Sequence, residues 1–254
     1  MQDKLKMTVM EYYQSEIIFN QEIAPDIFLM EVTRNKEEIE PGQFFMLKTW
    51  RDELTLMRPI SVYNVLPKQV QFMYRIAGKG TALLSNTKPG DAIQLLGPLG
   101  TGFPYKKVHG EIALLGGGIG IPPLFETAKK LKGLNNKVTV YLGFKKELFA
   151  IDDFAEVADH LFIASEEGEE GYRGFITDLL KPEKFDAIFT CGPEIMMEKV
   201  WRMCKEKQVP VWLSMERRMA CGIGACLGCN CDTIHGTVRA CKDGPVFSGD
   251  VLVF

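Results

Sequence analysis

Residues 115–123 read Leu-Gly-Gly-Gly-Ile-Gly-Ile-Pro-Pro and lie between an apolar run at 112–115 and a helix-like segment at 122–132. Glycines let the backbone approach a pyrophosphate closely, and the free N–H groups at a helix start attract anions. Proline suits the first turn of a helix. We therefore interpret Gly117, Gly118 and Gly120 as ligand-binding residues of a strand–loop–helix unit. A tight turn without a ligand is the alternative, because proline occupies the place of the third glycine in the usual dinucleotide motif.

The same alternation continues towards the carboxyl terminus. Further apolar runs lie at 138–142, 161–164, 187–190 and 209–213, and further helix-like segments lie at 174–180 and 193–206. Such alternation predicts a parallel sheet with helices on both faces, here assigned to residues 109–214. Cys191, Gly192 and Pro193 form a second turn at the carboxyl edge of this sheet, where ligands of open α/β sheets bind.

Towards the amino terminus the pattern is one of short β-strands separated by turn residues. Runs such as 28–32, 43–47 and 69–74 predict a small antiparallel barrel or sandwich over residues 1–108. Its candidate binding residues combine fixed positive charge with a hydroxyl-bearing glycine turn, which suits a diphosphate. They are Arg58, Pro59, Ile60, Ser61, Tyr74, Arg75, Ile76, Gly80 and Thr81. A surface arginine and an ordinary hairpin turn are the alternative.

Composition excludes several classes of protein. The chain has 254 residues and a formal net charge of −3, with no basic run suited to a nucleic acid. Its longest uncharged stretches, 92–105 and 112–125, are shorter than the about 20 residues that a membrane span needs. The first 16 residues are charged and lack the apolar core of a signal peptide, so we expect a cytoplasmic protein. The acidic segment 166–171 is typical of solvated surface.

Five of the seven cysteines lie in the tail, residues 215–254, which is rich in glycine and ends in a predicted strand at 251–254. Cys221, Cys226 and Cys229 have the C-x4-C-x2-C spacing of plant-type [2Fe–2S] ligation, and Cys241 supplies a fourth thiolate. A zinc site of four cysteines is the alternative, although it more usually has two C-x2-C pairs. Cys231 lies outside the spacing and is the expected non-ligand, but an exchange with Cys229 stays open.

These motifs together resemble the ferredoxin–NADP reductase superfamily, through Arg58-Pro-Ile-Ser61, the glycine loop and Cys191-Gly-Pro193. Residues 215–226, with Cys221 and Cys226, and 241–247 are similar to the electron transfer subunits of NAD-dependent (type B) dihydroorotate dehydrogenases. The resemblance implies an antiparallel β-barrel that binds FAD (1–108), a parallel α/β domain that binds NAD (109–214) and a [2Fe–2S] subdomain (215–254).

The same resemblance implies a function in pyrimidine biosynthesis. Electrons would pass from the FMN of a catalytic partner subunit through the [2Fe–2S] cluster and FAD to NAD+, in a heterotetramer with two subunits of each kind. The barrel residues named above would bind FAD, and Cys221, Cys226, Cys229 and Cys241 would hold the cluster. No proton-carrying catalytic residue is expected in this chain, because orotate chemistry belongs to the partner.

Two other functions stay open at this point. One is the flavin and iron–sulfur subunit of a sulfide dehydrogenase or of an NADH-dependent ferredoxin–NADP oxidoreductase; the other is a non-redox module held by zinc. Lys145 and Lys146 follow the second strand of the parallel sheet, where NADP enzymes often place cations, so the choice between NAD and NADP is also open.

Overall fold

The computed structural model describes residues 10–35, 38–49, 55–168 and 170–254. Residues 1–9, within the segment examined for a signal peptide, and Glu169 of the acidic segment lie outside the described residues.

The amino-terminal half is a closed antiparallel barrel. Its strands run in the order β1-β2-β5-β4-β3-β6, and a short helix, α1, follows β5. Val70, Phe72 and Tyr74 alternate along one strand and point into the barrel, where they are buried. The bounds are β1 Glu11–Ala24, β2 Ile27–Thr33, β3 Phe44–Thr49, β4 Arg58–Val65, β5 Gln69–Arg75, α1 Lys79–Ser85 and β6 Ala92–Leu99.

The second half is built on a seven-stranded sheet in the order β10-β9-β8-β7-β11-β12-β15. The first six strands are parallel, and β15 pairs antiparallel with β12 at the edge. The chain proceeds from β7 outwards on one side and then returns to β11 on the other. The glycine loop after β7 therefore lies where the strand order reverses, the usual ligand-binding position in such sheets. The bounds are β7 Glu111–Gly117, α2 Pro123–Gly133, β8 Lys137–Phe144, α3 Ile151–Val157, β9 His160–Ser165, β10 Tyr172–Arg173, β11 Ala187–Cys191, α4 Glu194–Lys207 and β12 Val211–Ser214.

The helix expected at 174–180 is reduced to a 3-10 turn at Ile176–Asp178. Gly174 has a φ of +149° and Phe175 is extended, so too little chain remains before Pro182 for a longer helix. The fold class predicted from the sequence is otherwise confirmed: an antiparallel barrel, a parallel α/β domain and a cysteine-bearing tail.

The tail contains a hairpin, a short helix and the edge strand of the sheet. These elements are β13 Asn230–Thr233, β14 Gly236–Arg239, α5 Ala240–Asp243 and β15 Val246–Ser248. The strand predicted at 251–254 is wrong, because the chain turns at Gly249, whose N–H donates to Val211 O at 2.7 Å. Leu252 beyond it forms only a bridge to Thr233, and Phe254 packs on Trp201. Buried tail residues share one core with the parallel sheet.

Barrel and sheet are joined at helix α2. The buried carboxylate of Glu126 accepts a hydrogen bond from Val65 N at 3.0 Å and pairs with Lys129 at 2.9 Å. Lys129 also donates to Asn64 of the barrel, and the Tyr63 hydroxyl donates to Asp153 of α3. These polar contacts fix how the two halves face one another. Across the described ranges, no helix combines the length and apolarity needed to cross a membrane.

Candidate functional site

A cleft of about 340 Å³ separates the barrel from the parallel sheet, and we call it the interdomain cleft. Strand register positions its barrel wall, because Phe44 pairs with Ser61 and Leu47 pairs with Arg58 across β3 and β4. The barrel residues that line it are Phe44, Arg58, Pro59, Ile60, Ser61, Met73, Tyr74, Arg75, Ala77 and Thr81. Of the nine barrel residues chosen from sequence, Ile76 and Gly80 lie next to this lining rather than in it.

Gly80 controls where the Arg58 side chain can lie. A Cβ built on Gly80 would be 1.5 Å from Arg58 Nε, so the guanidinium packs directly over this glycine. Arg58 also donates to Leu56 O. Gly80 is therefore needed for the position of a cation in the cleft wall.

Thr81 and Tyr74 have hydroxyls that are used within the protein. Thr81 Oγ accepts hydrogen bonds from Ala77 N at 2.8 Å and Gly78 N at 3.2 Å, which closes the turn before α1. The buried Tyr74 hydroxyl donates to Asn20 at 3.0 Å, and burial raises the pKa of Tyr74. Both residues shape the cleft mainly through fixed positions.

Sequence reasoning did not identify the opposite wall of the interdomain cleft. Most of its residues lie in the glycine loop or directly after β12, and they are Ile119, Pro122, Ser214, Met215, Glu216, Arg217, Met219 and Pro245. Glu216 is the chemically notable member, since burial raises the pKa of its carboxyl. Ligands of open α/β sheets bind at the carboxyl ends of the strands. Because the carboxyl end of β12 lies at the same sheet edge as the glycine loop, this rule could have identified these residues from the sequence.

Gly120, Cys191 and Gly192 form the contact between two loops. A Cβ on Gly120 would be 2.4 Å from Gly192 Cα and would clash with it. The two loops can therefore cross this closely only because both residues are glycine. The Cys191 thiol is buried, and that burial, with nearby Glu216, raises its pKa well above the ordinary value. These three residues hold the two ligand-binding turns together.

A second cavity of about 520 Å³ opens on the sheet side, and we call it the dinucleotide cavity. Gly117, Gly118 and Pro193 line it, as the sequence predicts for pyrophosphate-binding turns. Arg75 lines both cavities, so they meet at this side chain. The remaining lining residues are Gly143, Phe144, Lys145, Glu166, Gly174, Phe175, Ile176, Thr177, Ile195, Met196 and Lys199.

The four predicted ligand cysteines form two pairs. Cys226 N donates to Cys221 Sγ at 3.4 Å, and Cys241 N donates to Cys229 Sγ at 3.4 Å. The thiols of each pair also hydrogen-bond one another. Within the described ranges, no three metal-ligating side chains converge on one point. Two pairs of thiolates match two tetrahedral irons.

The loop around Cys221 is built to hold a negatively charged sulfur. Burial alone would raise the pKa of Cys221, but N–H groups of Cys226, Ile223 and Ala225 lower it to about 6. Gly222 and Gly224 have φ values of +71° and +81°, which glycine adopts without strain. Backbone donors to sulfur are the second shell that iron–sulfur sites use. The residues present therefore fit a [2Fe–2S] cluster.

Cys231 is placed differently. It is buried beside the guanidinium of Arg217, which is itself paired with Glu194 at 3.0 Å. Burial raises the pKa of the Cys231 thiol. Its interpretation as the non-ligand stays a prediction.

Comparisons with known proteins agree with this geometry. Residues 216–253 match the family model of the iron–sulfur cluster binding domain of dihydroorotate dehydrogenase B. The chain is 44% identical over 250 residues to the dihydroorotate dehydrogenase B (NAD(+)) electron transfer subunit of Clostridium acetobutylicum, covering 98% of each chain. It is 43% identical to the subunit of the same name from Clostridium perfringens, covering 94% of this chain and 97% of the relative.

Among solved structures, a chain of the NADH-dependent reduced ferredoxin–NADP oxidoreductase superposes with a TM-score of 0.83 and is 31% identical. That similarity covers 94% of this chain and 89% of the other.

Proposed function

The chain belongs to the family of electron transfer subunits of NAD-dependent dihydroorotate dehydrogenase B, and we propose that it exchanges electrons between a catalytic partner subunit and NAD+. It is an oxidoreductase subunit whose cofactors are FAD and a [2Fe–2S] cluster, with NAD as the dinucleotide. When bound, FAD exchanges two electrons with nicotinamide and single electrons with the cluster, which matches the two kinds of carrier.

The observation that carries this proposal is the arrangement of three sites in a row. The paired cysteines lie next to the interdomain cleft, because Met219 of the cleft wall is two residues before Cys221, and Phe44 of the same cleft shares a buried core with Cys229 and Cys241. Arg75 lines both the cleft and the dinucleotide cavity. Carriers bound at these sites are thus neighbours.

Within the interdomain cleft, the barrel residues would hold FAD. Arg58 and Arg75 supply positive charge for its diphosphate, and Ser61 supplies a hydroxyl on strand β4 that can hydrogen-bond the ring system. Pro59, Ile60 and Tyr74 line the apolar part of this wall, while Gly80 admits the Arg58 side chain. Across the cleft, Glu216 supplies a carboxyl group to the opposite wall.

Within the tail, Cys221 and Cys226 would hold one iron, and Cys229 and Cys241 the other. Ile223 and Leu227, on the loop between these ligands, are 43% and 60% exposed, and Cys226 is exposed as well. Apolar side chains in solvent beside a redox centre suit a protein interface. We place the FMN-containing catalytic subunit here, in a heterotetramer with two subunits of each kind.

Coexpression with the dihydroorotate-oxidising subunit of the same organism tests this function. We expect a complex of two subunits of each kind by native mass measurement, and NAD+ reduction that depends on dihydroorotate. Leu227→Glu, in the proposed interface, should prevent assembly, whereas Leu134→Glu, also exposed but on the end of α2, should not. Failure of the wild-type chains to associate would refute the assignment.

The structural similarity to the ferredoxin–NADP oxidoreductase chain supports a second candidate, a flavin and iron–sulfur subunit that works with ferredoxin. That function predicts electron exchange between NADH and ferredoxin without the orotate-forming partner. The same purified protein, assayed with ferredoxin alone, distinguishes the two functions.

A further inference from the structure

Two charged residues of the dinucleotide cavity have no part in the function described so far. Lys145 and Glu166 line the cavity at the carboxyl ends of β8 and β9, the strands that lie beyond β7 on the side away from β12. A lysine and a glutamate at this position favour opposite dinucleotides. An acidic side chain at such a strand end binds the ribose diol of NAD, whereas a cation accepts the 2′-phosphate of NADP.

The orientation of a bound dinucleotide follows from the cavity itself. Its reactive end must face the interdomain cleft, which the cavity meets at Arg75. The pyrophosphate-binding turns, Gly117–Gly118 and Pro193, come next. The adenosine half then lies beyond these turns, towards the ends of β8 and β9. Phe175 and Ile195 also line the cavity, are 59% and 80% exposed and offer apolar surface to the base.

The lysines at this end are already paired with carboxylates. Lys145 Nζ lies 3.3 Å from Glu167, and Lys146 Nζ lies 3.7 Å from Glu147. Lys199, which also lines the cavity, pairs with Asp178 at 2.8 Å. The charge of each of these three lysines is thus offset locally, which weakens the attraction for a phosphate dianion.

Glu166 has no such partner: in the described part of the chain, no cation lies within ion-pair distance of its carboxylate. Its backbone, however, is held firmly. Glu166 N donates to Phe144 O at 3.2 Å, and Glu167 N donates to Lys145 O at 2.8 Å, so the parallel pairing of β8 and β9 continues into the loop. The hydroxyl oxygen of the fully buried Ser165 also accepts a hydrogen bond from Gly168 N at 2.8 Å.

We propose that Glu166 is the residue by which this subunit selects NAD+ over NADP+. Its carboxylate accepts hydrogen bonds from the adenosine ribose hydroxyls of NAD+ and repels the 2′-phosphate of NADP+. The proposal rests on the proposed function, since it takes the second cavity to be the dinucleotide site. It also revises the interpretation of the acidic segment 166–171 as only solvated surface, and it identifies Lys145 and Lys146 as cations that do not select NADP+.

Direct binding measurements on the subunit loaded with FAD and cluster test this inference without an activity assay. NAD+ and NADP+ are titrated by calorimetry into the wild type, Glu166→Gln and Glu166→Arg. We expect the wild type to prefer NAD+. Because a hydrogen bond to a charged group is lost, Glu166→Gln should weaken NAD+ binding by about tenfold, and loss of repulsion should tighten NADP+ binding. Glu166→Arg should reverse the preference.

Two further variants serve as controls. Glu170→Gln removes an exposed carboxylate of the same segment that is outside the cavity lining, and it should leave both affinities unchanged. Lys145→Gln should leave NADP+ affinity unchanged; a large loss would make Lys145 the selecting residue and overturn the proposal. An unchanged NAD+ to NADP+ affinity ratio in Glu166→Gln also overturns it, while leaving the proposed function intact. A wild type that binds neither dinucleotide refutes the proposed function itself.

Discussion

Gly80→Ala should weaken FAD binding although Gly80 lies next to the lining of the interdomain cleft rather than in it. The new Cβ would lie 1.5 Å from Arg58 Nε and 2.0 Å from Arg58 Cζ, distances at which the two atoms cannot coexist. The flexible end of Arg58 is the part that yields, so the guanidinium leaves the wall of the interdomain cleft. The backbone of α1 tolerates alanine well, because alanine favours a helix over glycine by about 1 kcal/mol. The apoprotein should therefore stay folded while its FAD affinity falls.

The magnitude follows from the contact that is lost. A hydrogen bond to a charged group contributes about 1.5–3 kcal/mol, which corresponds to a tenfold to roughly hundredfold weaker dissociation constant for FAD. Fluorescence titration of the deflavinated protein with FAD measures this directly, and urea denaturation of the same sample shows whether the fold is retained.

Gly78→Ala is the matched control. Gly78 lies two residues earlier, its φ of 171° is extended, and a Cβ there would meet nothing within 4 Å. It should bind FAD as the wild type does. Arg58→Ala should reproduce the Gly80→Ala effect, and the double variant should be no worse than either single variant. If Gly80→Ala retains wild-type FAD affinity, or if the losses of affinity in Gly80→Ala and Arg58→Ala add in the double variant, Gly80 does not act on FAD binding through the position of Arg58.

Three further outcomes are expected. Cys241→Ser should lose iron and the cluster's share of the visible absorption, whereas Cys231→Ser should retain two irons per chain. Iron analysis of anaerobically purified protein measures this, and loss of iron from Cys231→Ser alone would exchange the roles of the two cysteines. Glu126→Gln breaks the ion pair with Lys129 at the junction of barrel and sheet, so it should lower the free energy of unfolding by about 1–3 kcal/mol. Glu156→Gln changes an exposed carboxylate and should leave that free energy unchanged. Urea denaturation measures both. A hydrogen bond from Lys132, with a second from Val138 N, lowers the pKa of Asp159 in the folded protein. The stabilisation by Asp159 is therefore fully present above the unfolded pKa of about 3.9 and disappears as the pH falls through the lower folded pKa. Asp159→Asn should thus be less stable than the wild type at pH 7 and equally stable in strong acid.

Local motifs explain why much of this structure could be predicted from sequence. The turn at Gly117–Gly120 and the cysteine spacing are short-range features, in which the types and spacing of a few neighbouring residues determine the local conformation. Strand alternation likewise marks β5, where Val70 and Phe72 are buried. The barrel, the parallel sheet and the helices α2 and α4 all follow from such periodic signals.

What could not be predicted depends on contacts between distant segments. β15 is only three residues long and is a strand because β12 leaves an open edge beside it. The hairpin of β13 and β14 carries polar residues and a cysteine, so it has no clear alternation. Glu216 lines the interdomain cleft only because the chain leaves β12 at that edge of the sheet. Such features are fixed by packing, which a local pattern does not contain.

The edge strand β15 has a consequence for how the polypeptide matures. It follows the predicted cluster ligand Cys241 closely and covers the edge of β12. A newly made chain whose tail has not yet folded leaves a row of unpaired backbone N–H and C=O groups along β12, which is a template for pairing with other chains. Folding of the tail over β12 therefore also closes this edge, and a chain whose tail stays unfolded is exposed to aggregation.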